Sequence, residues 1–192
     1  MFKEITDSLK DSESIDKAYD NLKQNIQKRL NEAVADDNMT SADAIETLRN
    51  ANKEIGYIYR LNLRHDYKIP VVIGDDIRTI NLTLIQDDTD KGRISVEFDD
   101  EKSGHVSVEA KINNKSADIY ILSDNDDTAL IEDRAQNLSE ELKNKMQIDI
   151  VNINTGINDN IKRVTYDNAA ESVASDKLYK ISKLIIMKMS GK

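Results

Sequence analysis

The chain has no cysteine, a single proline and two histidines. Without thiols there is neither a disulfide framework nor a thiolate metal site. His65 and His105 stand alone, at a loop entry and a strand start, so the imidazoles a zinc centre needs are missing and both read as surface or strand-edge residues. The N-terminus "MFKEITDSLKDSESIDK" has no apolar core of secretory type, and no run approaches the roughly 20 apolar residues of a membrane span. Stable membrane insertion is therefore not expected. Neither a G-x-G-x-x-G following a strand nor a P-loop is present, which leaves nucleotide binding by those routes without support and no cofactor expected. No nucleophile with a base and no carboxylate pair in a definable cleft can be named, so no catalytic residue is assigned.

What is there is charge, mostly of one sign. Lys and Arg total 27 against 36 Asp and Glu, a net charge of −9 over 192 residues. Residues 1–70 carry −2 (11 basic, 13 acidic), 71–154 carry −10 (9 and 19) and 155–192 carry +3 (7 and 4). An acidic middle of this kind repels phosphates, so nucleic acid is not an expected partner.

Apolar spacing divides the chain into three parts. In residues 1–68, Ile15, Tyr19, Leu22, Ile26, Leu30 and Val34 recur at helical intervals. After "ADDNMTS", Thr40 or Ser41 offers a cap and Ile45, Leu48, Ile55 and Ile58 resume the stripe, which predicts a helical hairpin. Pro70 biases Ile69 to extended geometry and ends that region.

Residues 69–154 switch to period two. Ile80, Leu82 and Leu84, then Ile94, Val96 and Phe98, then Val106, Val108 and Ala110, then Ala117, Ile119 and Ile121 predict four strands joined by short turns. A helix follows, with Leu130, Ile131, Ala135, Leu138 and Leu142 on one stripe. The run "QIDIVNI" then reads as a fifth strand, parallel to 117–122 through a right-handed crossover. The expected class is α+β: a four- to five-stranded mixed sheet, ββββαβ, covered by a helix and flanked by the N-terminal hairpin and a C-terminal helix. In residues 155–192, a polar stretch read as loop over 154–170 leads to that last helix, whose Leu178, Ile181, Leu184 and Ile185 are expected to pack, the N-terminal hairpin being one candidate surface. A membrane-surface or partner-binding helix, with Lys177, Lys180, Lys183 and Lys188 around the apolar stem, is the alternative.

Two acidic clusters invite a metal. Aligned on Gly92, "DDTDKGRISVEF" (87–98) has the glycine of a calcium loop, but Lys91 and Phe98 occupy ligand positions, and a hairpin turn explains the stretch better. In "SDNDD", Asp124, Asp126 and Asp127 crowd ahead of a helix, where negative charge complements the first turn. No metal site is assigned to either.

The stretch "GHVSVEAKINNKSADIYILSDNDDTALIEDRAQNLSEELKNKM", within a match over about 70–154, resembles the C-terminal domain of flagellar hook-length control proteins. That domain's pattern is a Leu-Gly, two alternating apolar residues, a short turn, an alternating strand and a helix with Leu about every four residues. Gly104, Val106 and Val108 stand in the first part, Ile119 and Ile121 in the strand, and Leu138 and Leu142 in the helix. Ser103 replaces the usual Leu, and "EKSG" the usual Pro-x-x-Leu-Gly. The ending "SDKLYKISKLII" is similar to the close of a hook-length-control-like family of flagellated Firmicutes. The resemblance implies a non-enzymatic module, in the bacterial cytoplasm or exported through the flagellar type III apparatus. Its implied partner is a protein, the cytoplasmic domain of the export-gate switch protein, met at a surface the sequence does not locate. A structural protein that oligomerises through its amphipathic terminal helices is the alternative. A metal-dependent enzyme using Asp124, Asp126 and Asp127 is a third reading.

Overall fold

The computed structural model describes residues 9–35, 66–73, 76–126, 128–158 and 174–190, with Glu46 and Asn50 also helical. The described elements are α1 (Ser12–Ala35), β1 (Asp66–Ile73), β2 (Asp76–Asp88), β3 (Lys91–Asp100), β4 (Gly104–Asn113), β5 (Ser116–Ser123), α2 (Thr128–Met146), β6 (Ile150–Ile157) and α3 (Asp176–Met189). Apart from Glu46 and Asn50, the second helix of the predicted hairpin, with its Thr40 and Ser41 caps and apolar stripe, lies outside the described residues, as do His65 and Asp127.

The strands form a six-stranded sheet in chain order, β1-β2-β3-β4-β5-β6. Pairing is antiparallel as far as β5, and β5 and β6 run parallel across α2, as the strand–helix–strand order predicts. The chain is thus α+β, with a mixed sheet larger than the four to five strands expected.

The additional strand is β1, which includes Pro70. Proline removes a ladder donor, which argues against a central strand, but β1 is an edge, where one side of the backbone needs no partner. β6 also continues to Ile157, so 154–157 is strand and not the loop expected. Pairing of Tyr120–Ser123 with Asn154–Ile157 overrides the weak strand preference of Asn and Gly there.

Turn chemistry accounts for the hairpins. Asn114 takes φ 50° between β4 and β5, and Gly104 takes φ 66° at the exit of the β3–β4 turn. Between β2 and β3 the turn is tighter than the acidic run implied: strand pairing extends to Asp88 and Lys91, with a register shift between Gln86 and Asp88. Gly92 is consequently in β3, not in the turn. A Cβ there would press on Leu178 of α3 and the Ile85 carbonyl, so this glycine serves close packing.

Register puts Tyr67, Ile69, Ile80, Leu82, Leu84, Ile94, Val96, Phe98, Val106, Val108, Ile119 and Ile121 on one face, all buried. Fully burying each Ile or Leu contributes about 1.5–3 kcal/mol. α2 covers the β5–β6 side of this face and α3 lies against α2, β3 and β2. The apolar stripe of α3 is spent here: Leu178, Tyr179, Ile181, Ile185, Ile186 and Met189 are buried. The C-terminal helix therefore packs, as expected, although chiefly on α2 and the sheet.

α1 joins the same core from the β1 side through Ile15, Ala18 and Tyr19. Asp11 caps it, its carboxylate accepting the Ser14 N–H at 2.7 Å, and that hydrogen bond holds the Asp11 carboxyl below its ordinary range. The Tyr19 hydroxyl donates to the Lys68 carbonyl at 2.6 Å. No described helix is long and apolar enough to cross a membrane.

Candidate functional site

The residues that carry the sequence pattern divide into core positions and one turn position, Gly104, where the β3–β4 turn meets the β5–α2 junction. Val106, Val108, Ile119, Ile121, Leu138 and Leu142 are all at 0% exposure, so they form core and not a contact surface. Gly104 differs. Its φ lies in the left-handed region, and a Cβ at this position would stand inside the Asp124 carboxylate. Both features demand glycine.

Asp124 comes that close because it fastens the turn. Its Oδ1 accepts the His105 N–H at 2.7 Å, and its own N–H donates to the His105 carbonyl at 3.2 Å. Nearby, Ser123 Oγ donates to the Ser103 carbonyl at 2.5 Å and Asn125 Nδ2 to the Lys102 carbonyl at 2.7 Å. Ser123, Asp124 and Asn125 thus form a clasp between the β3–β4 turn and the β5–α2 junction. Among the described residues no group of three His, Cys, Asp or Glu is arranged to hold a metal. The His105 ring meets Asp99 at 2.7 Å on a half-exposed strand start.

Beneath the clasp lies a charged centre that the helical pattern did not single out. Arg134 Nη1 donates to Asp100 Oδ2 at 3.1 Å, to Ser103 Oγ at 3.0 Å and to the Met189 carbonyl at 2.6 Å. Both partners are buried, with side-chain exposures of 10% and 7%. Burial alone pushes the Asp100 carboxyl up, but the Arg134 guanidinium together with the Ser103 hydroxyl and N–H outweighs it and holds the carboxyl below its ordinary range. One guanidinium therefore joins the end of β3, α2 and the last turn of α3.

A second polar fastening holds the other end of α3. The buried Gln86 directs its Nε2 to the Asp88 and Lys91 carbonyls, and its Oε1 accepts the Ser175 N–H at 2.8 Å. Gln86, Asp100, Ser123 and Arg134 were overlooked for a shared reason: each is a polar residue on an apolar register. Arg134 falls three after Ile131 and four before Leu138. That interruption is the signal by which it was findable.

Among the described residues, one recess at the junction is slight. Ser123, Asn125, Thr128, Ile131, Thr155, Gly156 and Ile157 line it, with room for about one water molecule. It is not a substrate pocket.

No family model, curated protein or solved structure matches this chain. Among the described residues, a candidate surface is the outer edge of the sheet. β6 is a terminal strand with Ile150 at 59% exposure and Ile157 at 46%, and Tyr120 on the neighbouring strand is exposed as well.

Proposed function

We propose that the protein is a non-enzymatic binding module of the hook-length-control kind, acting on export-substrate switching through the cytoplasmic domain of the export-gate switch protein. The observation that carries this reading is Gly104. The glycine of the resembled pattern falls where left-handed backbone and the Asp124 carboxylate together admit no side chain. The order β4, β5, α2 follows the order of elements in that pattern. Burial of the six apolar pattern residues agrees too. On this reading the pattern encodes the scaffold, and recognition belongs to surfaces outside it.

The test is hook length by electron microscopy in a strain of the source organism lacking the sheet, residues 66–157. Overlong hooks without filaments are expected. Hooks of normal length bearing normal filaments would confine the likeness to fold.

Self-assembly through the terminal helices is the second reading. The buried stripe of α3 leaves that helix little apolar surface to offer, so this route would rest mainly on α1.

A further inference from the structure

The two edges of the sheet differ in chemistry. β1, "DYKIPVVI", carries Asp66, Lys68 and Pro70, the charges and missing donor by which natural proteins keep an edge from pairing. β6, "IVNINTGI", has no charged residue and no proline along its 8 residues, in a chain of net charge −9. Its outer backbone faces no strand among the described residues. An unprotected edge of this kind is a template for a further strand.

We propose that β6 pairs antiparallel with β6 of a second copy, about a two-fold axis through Ile153. Opposed residues in such a ladder must lie on the same face, and this register satisfies that. On the covered face Ile153 meets its equivalent and Val151 meets Thr155. On the other face Asn152 meets Asn154, two carboxamides that can exchange hydrogen bonds, and Ile150 meets Gly156. That last pair argues for this register. Ile150 is the most exposed large aliphatic residue described, and the other residues on its face of β6 are Asn152, Asn154 and Gly156, so in a ladder along the whole strand only the register opposite Gly156 opens an apolar neighbour to it. Gly156 is paired with Leu122 of β5, and Leu122 Cδ2 lies 3.3 Å from where a Cβ on residue 156 would stand. Ile150 of the second copy therefore reaches over the glycine onto Leu122. An isologous pair of this kind closes on itself, and the charged, proline-bearing β1 edge stops the joined sheets from extending further.

Electrostatics sets the condition for association. The strands that meet are uncharged, while the bodies behind them repel, so added salt screens the repulsion without weakening the contact. The dimer therefore tightens as ionic strength rises, opposite to an interface made of ion pairs.

The test is sedimentation velocity of the whole chain from about 1 to 500 µM, a range that spans weak homodimers, at low and high salt. A monomer–dimer equilibrium favoured by salt is expected. Ile150→Lys, at an exposed position that leaves folding intact, is expected to weaken it by about tenfold or more. The chain has no cysteine of its own, so single substitutions report the register directly. Ile153→Cys should crosslink to itself under mild oxidation, because directly opposed residues have Cα atoms about 4.5–5.5 Å apart, within the span of a disulfide, and Ile150→Cys should not. A monomer under all conditions, a dimer indifferent to Ile150→Lys, or a dimer that Cys at 153 fails to crosslink would each overturn the proposal.

Discussion

The hydroxyls of Tyr67 and Tyr179, 112 residues apart in sequence, meet at 2.5 Å in the core. Their rings stand edge to face with centroids 6.0 Å apart, so the first strand and the last helix share a contact that is apolar in bulk and polar at its tip. Tyr179→Phe is expected to cost about 1 kcal/mol, a typical net value for a hydrogen bond. The Tyr67→Phe, Tyr179→Phe double variant should lose less than the sum of the single losses, because both partners then leave together. Urea unfolding of the four proteins checks this, and strict additivity would mean that the hydroxyls are not coupled.

Alkaline titration offers an independent reading of the same core. Burial pushes the Tyr67, Tyr179 and Tyr19 hydroxyls above their ordinary value of 10.0. A raised folded value means that the stability they contribute is complete below pH 10 and is lost as pH rises beyond it. Tyrosinate absorbance should therefore appear in two stages, the second coinciding with loss of helical circular dichroism. A single stage completed while the helices persist would contradict the burial.

Arg134→Ala leaves the Asp100 carboxylate buried without its counter-charge, which costs about 3–5 kcal/mol. Arg134→Met combined with Asp100→Asn removes both charges and should recover part of that loss. In the parent protein the Asp100 carboxyl is depressed, so its contribution is present above the unfolded value of 3.8 and disappears as pH falls through the lower folded value. Asp100→Asn should flatten this acid limb. Chemical denaturation at successive pH values below 5, about where carboxylate linkage begins, measures it.

Gly104→Ala forces a left-handed backbone on a residue with a Cβ, at about 1–2 kcal/mol, and displaces the Asp124 clasp as well. The expected result is a fall in melting temperature larger than that of an alanine at an exposed loop position such as Lys102.

Val106→Asp places a carboxylate at 0% exposure and should abolish folding. Glu109 lies on the other face, half-buried, and accepts a hydrogen bond from the Ser95 hydroxyl. Its replacement by alanine is expected to cost about 1 kcal/mol. Comparable losses in the two variants, followed by thermal melting, would mean that the strand faces are reversed.

Much of this fold was legible because alternation is a strong signal. The four strands from β2 to β5, the helix between parallel neighbours and the packing stripe of α3 all follow from apolar spacing. What spacing missed has physical reasons. β1 was hidden by Pro70, which is unremarkable at an edge but reads as a strand breaker in sequence. The end of β6 was hidden by Asn and Gly, which strand pairing tolerates. The clasp and the Arg134 centre were hidden because polar residues on an apolar register look like interruptions, and only the fold brings Asp100, Ser103, Arg134 and Met189 together.

Because every strand lies beside its sequence neighbour, the sheet can assemble as the chain emerges from the ribosome, each hairpin as far as β5 extending the last and β6 adding through the α2 crossover. Its cover cannot. α3 lies on β2 and β3, the strands made early, yet it is synthesised after all six. A nascent chain that has released β6 therefore carries a finished ladder with Leu82, Leu84 and Ile94 short of their lid. Such a chain is a natural client for a chaperone until Tyr179 reaches Tyr67.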